Sequence, residues 1–262
     1  MLARGVKMSR REYEEWRDAN TWDPARETEL VVQSDLAPAG WIEPLIVPDS
    51  FEVRMTVPQG FDAYARIFFP FIGADIEVDG EAQQEHLTWG QIAQRNGRIM
   101  HAVMESEAIG QRPDAYAEPD CCCGEMGDEQ LGALLPILTH HTSSPDGWFL
   151  LWDGFGDLNE RVFSDDLPKV RHPARSFYLL RGPLGSYGEF PWAPNYWWPD
   201  DRAWCVSTDV DFDCAYVAGS AACMEEILAH PVIDALATKP ENPARSGMDI
   251  INDPDGIAPR SI

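Results

Sequence analysis

The chain has 262 residues, 44% of them hydrophobic, which is enough to bury a sizeable core and excludes wholesale disorder. Its 44 acidic residues against 20 basic ones give a formal charge of −24, a field that opposes tight contact with a phosphate backbone unless a local basic patch overrides it. The sequence has no such patch, so nucleic acid is not an expected partner and a basic protein is.

In chain order, the start MLARGVKMSRREYEEW lacks the apolar stretch of a signal peptide. No later window approaches the ~18 apolar residues of a membrane span. These features point to a cytoplasmic protein with no membrane association and reduced thiols. Ser9 and Glu12 form a capping-box pattern that starts a short helix carrying Tyr13 and Trp16. Between Trp41 and Phe71, apolar runs broken by Pro48, Pro58, Gly60 and Pro70 predict strands near 52–57 and 63–69. Thr88, with Gln91 three residues on and Gly97 past the end, predicts a short helix.

Residues 105–127 are polar and punctuated by Pro and Gly, and read as an irregular loop. It contains Cys121, Cys122 and Cys123. Adjacent cysteines point in different directions and lack the paired spacing of a zinc site, so they read as incidental. A helix over Asp128–Thr139 follows, ending at His140 and His141, whose imidazoles suit a helix C-terminus. Beyond a turn at 144–147, the runs 148–152, 176–180 and 203–216 read as neighbouring strands, and Ser220 caps a helix over 221–236 interrupted by Pro231. Strands and helices do not alternate as βαβ units. The expected class is therefore α+β, a largely antiparallel sheet with flanking helices. Residues 1–239 form one domain in this reading, and 240–262 an extended C-terminal tail.

The segment YWWPDDRAWCVSTDVDFDCAY, 196–216, carries the candidate site. Asp209, Asp211 and Asp213 alternate with apolar residues, so on a strand they share one face at roughly 6.6 Å spacing. If partly buried they need arginine or a divalent cation, and Arg175 and Arg181 share a parity on the strand RSFYLLR. Trp197, Trp198 and Trp204, with Tyr196 and Trp192, make the densest aromatic segment, and Asp200 and Asp201 fall in the turn after Pro199. No G-x-S-x-G, H-E-x-x-H, P-loop or G-x-G-x-x-G motif is present.

The segments VPQGFDAYARIFFPF (57–71), TSSPDGWFLLWDGFGDL (142–158) and YWWPDDRAWCVSTDVDFDCAYVAGS (196–220) resemble a group of proteins from high-GC actinobacteria that have no assigned activity. The resemblance implies a single-domain cytoplasmic bacterial protein and assigns no functional residue. The expected function is a non-enzymatic, protein-binding module of the immunity or antitoxin kind. Its acidic and aromatic surface comprises Trp197, Trp198, Asp200, Asp201, Trp204, Asp209, Asp211 and Asp213, with no cofactor. The alternative is a divalent-metal hydrolase in which Asp209, Asp211 and Asp213 hold the ion and His140 or His141 moves protons.

Overall fold

The computed structural model describes residues 21–78, 81–110, 126–156, 158–172, 175–245 and 247–254. The expected N-terminal helix and Cys121–Cys123 lie outside these residues.

The chain opens with a one-turn helix, α1 (Pro24–Glu27), and a short strand, β1 (Val31–Val32). After three 3-10 turns come β2 (Ala63–Phe68), β3 (Phe71–Val78), β4 (Glu81–Leu87), α2 (Trp89–Asn96), α3 (Ser106–Gly110) and α4 (Asp128–His140). The second half supplies β5 (Asp146–Trp152), β6 (Val170–Arg171), β7 (Ser176–Pro183), β8 (Tyr196–Pro199), β9 (Trp204–Thr208), β10 (Cys214–Gly219), α5 (Ala221–Ala229) and β11 (Ala235–Thr238).

Among the described residues, nine strands form one sheet in the order β1-β7-β5-β8-β9-β10-β2-β11, with β6 paired to β7, and β3 and β4 make a separate hairpin. Every pairing of the sheet is antiparallel. The class is thus α+β with a largely antiparallel sheet, as the sequence predicts.

Both faces of the sheet are covered, which explains the near-continuous apolar runs of its central strands. On one face Trp197, Trp204, Val206, Ala215 and Val217 pack against Leu134 and Leu138 of α4 and Cys223 and Ile227 of α5. On the other, Leu150, Leu179, Tyr196, Trp198 and Cys205 are covered by Ala39, Ile42 and Ile46 from the 3-10 turns. Trp197, Trp198 and Trp204 are each no more than 1% exposed. At about 25 cal/mol per Å² and ~150–250 Å² for an aromatic side chain, each contributes several kcal/mol of transfer free energy before entropy is charged against it. The Trp204 indole N–H also donates to the Leu138 carbonyl at 2.8 Å, joining β9 to α4.

Helix ends follow their caps. Thr88 accepts the Gln91 N–H at 3.1 Å while the Gln91 side chain accepts the Thr88 N–H at 2.8 Å. Gly97 closes α2 in the left-handed region at φ 64°. The Ser220 hydroxyl accepts the Cys223 N–H at 3.2 Å. Helix α5 stops at Ala229, short of the expected Leu236, because the residue before Pro231 is forced from helical geometry; His230 sits at ψ 125°. The freed residues 235–238 become the edge strand β11 on β2.

Three further expectations change. The strand near 52–57 is a 3-10 turn, Val53–Met55, preceded by the positive φ of Asp49 (57°) and Phe51 (54°). The single strand over 203–216 is a hairpin, because Phe212 N–H returns to the Asp209 carbonyl at 3.0 Å and separates β9 from β10. The tail from 240 to 254 is packed. Arg54 and Val53 donate their N–H groups to the carbonyls of Pro240 and Asn242. Further on, Asp249 and Asn252 are buried against His101, with Nε2 of His101 2.8 Å from Asp249 Oδ1. The 105–127 loop likewise begins with a helical turn, α3.

Arg66 sits in mid-β2 at 8% exposure. It donates to the carbonyls of Met104 at 2.7 Å and Ala102 at 3.3 Å, and to Asp213 at 3.3 Å. Its guanidinium carbon lies 4.8 Å from the Phe68 ring centre and 5.5 Å from that of Trp89. Removing one member of a buried pair strands the other, at a cost of about 3–5 kcal/mol. Arg66→Met is therefore expected to lower the unfolding free energy by about 3 kcal/mol, the low end because Asp213 keeps some solvent contact. Urea unfolding followed by tryptophan fluorescence measures this, and a loss below about 1 kcal/mol would show that Asp213 finds water instead.

Candidate functional site

The five residues between β9 and β10 form a turn closed on itself: Asp209 Oδ1 accepts the Asp211 N–H at 3.1 Å. The turn is then fastened from outside. Arg175 donates through Nε and Nη2 to the two oxygens of Asp209 at 2.8 and 2.7 Å, and through Nη2 to Asp211 at 2.6 Å. Asp213 is held by Arg66. The three aspartates alternate because the turn sends the first two to one arginine and the third to another, and strand parity has no part in it.

Arg175 is positioned by a tight hairpin ahead of β7, in which His172 and Arg175 exchange backbone N–H to carbonyl bonds at 2.9 and 3.2 Å. Its guanidinium lies 4.5 Å from the Trp152 ring centre. Hydrogen bonding to Asp209 is the main cause holding its proton affinity above the ordinary arginine value, against burial, with Asp211 adding to it.

Beside this turn opens a cleft of about 270 Å³. Its apolar surface comes from Met55, Phe177, Tyr196 and Phe212, and its charged surface from Asp49, Asp209, Asp211 and Arg175, so lining carboxylates outnumber lining cations. His172 also lines it. Burial lowers the His172 pKa, and a hydrogen bond to the Met55 carbonyl and the charge of Asp209 offset this only in part. The ring is therefore neutral at neutral pH, and its buried Nε2 has no hydrogen-bond partner among the described residues. Burial likewise pushes the Tyr196 phenol up.

The other predicted site residues fall elsewhere. Trp197, Trp198 and Trp204 are core and present no surface, which corrects the expected aromatic patch: the segment is strand β8 and the start of β9, in the middle of a sheet covered on both faces. Asp200 pairs with Arg181 at 2.8 Å, and Arg181 also reaches Asp146 at 3.1 Å. Of the two arginines singled out, Arg175 alone meets the 209–213 acids. Asp201 accepts from the Ser143 N–H and hydroxyl and the Thr142 hydroxyl, each at 2.8 Å, and from the Ala203 N–H at 3.1 Å. Burial works against ionisation there, but these hydrogen bonds together hold the carboxyl below its usual range. Asp200 and Asp201 lie before β9 and Asp209 and Asp211 after it, so the strand separates the two acidic groups.

His140 and His141 belong to the end of the sheet away from the cleft, since α4 meets β9 at Trp204. Among the described residues they group with Glu226 and not with Asp209, Asp211 or Asp213. The hydrolase constellation read from the sequence is therefore not assembled. His172 and Asp49 carried no sequence signal. An isolated histidine and an Asp-Ser turn are common, and only the folding of residues 48–56 over the β8–β9 face brings them together.

Comparison with protein-family models, with curated proteins and with solved structures returns no match. Among the described residues, no helix is long and apolar enough to cross a membrane.

A histidine whose folded pKa is depressed takes up its proton more readily in the unfolded chain. Its contribution is present above the unfolded value of about 6.5 and is lost as pH falls towards the folded pKa, with a slope of at most about 1.4 kcal/mol per pH unit. Stability of the His172→Gln variant should therefore decline less steeply than that of the parent between pH 7 and 5, as read by urea unfolding at each pH. Parallel curves would remove the assignment of His172 as a neutral, buried group.

Proposed function

We propose that this chain is a non-catalytic binding protein whose cleft at Asp209 and Asp211 receives a lysine or arginine side chain of a basic protein partner. The observation that carries this reading is the cleft itself, with its apolar and aromatic lining and its excess of carboxylates at the mouth. Its size argues for a single anchoring side chain, because sites that engulf a drug-sized ligand hold about 300–1,000 Å³. A long basic side chain lays its methylenes on apolar surface and keeps its charge at a polar rim, which matches the buried Phe177 and Tyr196 and the more exposed Asp49, Asp209 and Asp211 of the lining.

Two further features support the reading. The net charge of −24 attracts a basic partner from a distance and speeds encounter. Asp49 and Phe51 hold positive φ next to the cleft, a backbone cost of order 1–3 kcal/mol each that surrounding structure must maintain. An immunity or antitoxin protein, in which an acidic surface covers a basic enzyme, is the functional class we assign to this design. A cytoplasmic setting and kinship with the actinobacterial group belong to the same proposal.

Titration of isotopically labelled protein with an arginine-rich peptide tests it by NMR. Shifts should concentrate on His172, Tyr196, Phe212 and the 209–212 amides, weaken steeply with salt, and vanish in Asp49→Lys/Asp211→Lys protein. Shifts spread evenly over the acidic surface, or unchanged by the double substitution, would contradict the cleft as the anchor.

A further inference from the structure

His140 and His141 close α4 on the side away from the cleft, and a residue of α5 meets both of them. Nδ1 of His140 lies 3.5 Å, and Nε2 of His141 2.8 Å, from the same carboxylate oxygen of Glu226. One donor atom from each of the three residues lies within 4.8 Å of the other two. Around a tetrahedral zinc ion with bonds of ~2.0–2.1 Å, neighbouring donors stand roughly 3.3–3.5 Å apart. The His140–Glu226 spacing already has that value. The His141–Glu226 spacing has to open by about half an ångström, a small rotation for a glutamate side chain that is 45% exposed.

We propose that His140, His141 and Glu226 form a zinc-binding tripod that ties the end of α4 to α5. The donor chemistry selects the metal: two imidazoles and one carboxylate suit zinc and its transition-metal neighbours, whereas magnesium and calcium take oxygen donors. The setting favours a cation as well. His141 is the C-cap of α4, where its N–H meets the carbonyls of Ile137 and Leu138, and this negative end of the helix dipole adds to the Glu226 charge. The three donors come from two helices that already pack through one core, so little ordering is left for the ion to impose. His141 is mostly covered, at 17% exposure, while His140 is 75% exposed; one ligand is thus held by packing and the other has room to adjust. Three protein donors leave the fourth zinc position to water.

The test is calorimetric titration of the chelator-treated full chain with Zn²⁺ alone, with Mg²⁺ and Ca²⁺ as controls. One zinc per chain is expected, at micromolar affinity or tighter, with no heat from the hard cations. His140→Ala, an exposed change that leaves the fold intact by circular dichroism, should weaken binding at least roughly tenfold, which is one step of about 1.4 kcal/mol. His140→Ala combined with Glu226→Gln should remove the isotherm. Absence of zinc binding by the parent chain would overturn the proposal. So would zinc binding of undiminished affinity in the double variant, which would place the ion elsewhere, for example at Cys121–Cys123.

Discussion

Two arginines hold the acidic turn between β9 and β10, Arg175 from just ahead of β7 and Arg66 from β2. Carboxylate oxygens that share the Arg175 Nη2 at 2.7 and 2.6 Å stand at most about 5.3 Å apart, and unpaired charges at that distance repel by roughly 3 kcal/mol at an effective dielectric near 20, a serious cost for a hairpin whose strands are buried on both faces. Arg175 removes that cost for Asp209 and Asp211 at the edge of the cleft, and Arg66 does so for Asp213 beneath it. The turn can then be tight and ordered at the end of two strands made almost wholly of apolar and small residues. Its charge is left in slight excess where it faces solvent.

That excess connects fold to function. A fully neutralised turn would be only a structural fastening, and a bare one would draw in a metal ion or destabilise the hairpin. Here one guanidinium is shared by two carboxylates and Asp49 also lines the cleft, which leaves an excess of negative charge beside an apolar surface. A neutral His172 adds no competing positive charge at neutral pH. Long-range attraction comes from the whole chain and the last few ångströms of recognition from the cleft, so rate and specificity have separate sources.

Local chemistry was legible in the sequence and long-range assembly was not. The Thr88 capping box, the Ser220 cap, the helix from Asp128 and the strands at 148–152 and 176–180 each follow from patterns that act within a few residues. Arg175 as the partner of the acids was also legible, because a buried carboxylate needs a cation and few were at hand. The acidic turn was misread as a strand, since alternation of Asp with Val and Phe is the same signal whether the chain extends or folds back. The tryptophans were misplaced because composition does not say that 3-10 turns from residues 37–45 cover the second face of the sheet. Neither the β3–β4 hairpin nor the packing of 240–254 was anticipated: the hairpin is local, but its second strand, EAQQEHL, has few strand-forming residues, whereas the tail depends on partners far away in the chain, such as Asp249 on His101. The cleft was invisible because His172 and Asp49 are unremarkable until the fold brings both to its lining.

The central claim is that the aspartates of the 209–213 turn are partners of arginine, shaping a cleft, and not ligands of a metal. A double-mutant cycle on Arg175→Ala and Asp209→Ala, read by urea unfolding in the presence of a chelator, tests it most directly. Their bidentate, partly buried contact predicts a coupling energy of about 1–3 kcal/mol. Additivity within about 0.3 kcal/mol would contradict the account, because the two residues would then be stabilised independently and the turn would owe its shape to something else.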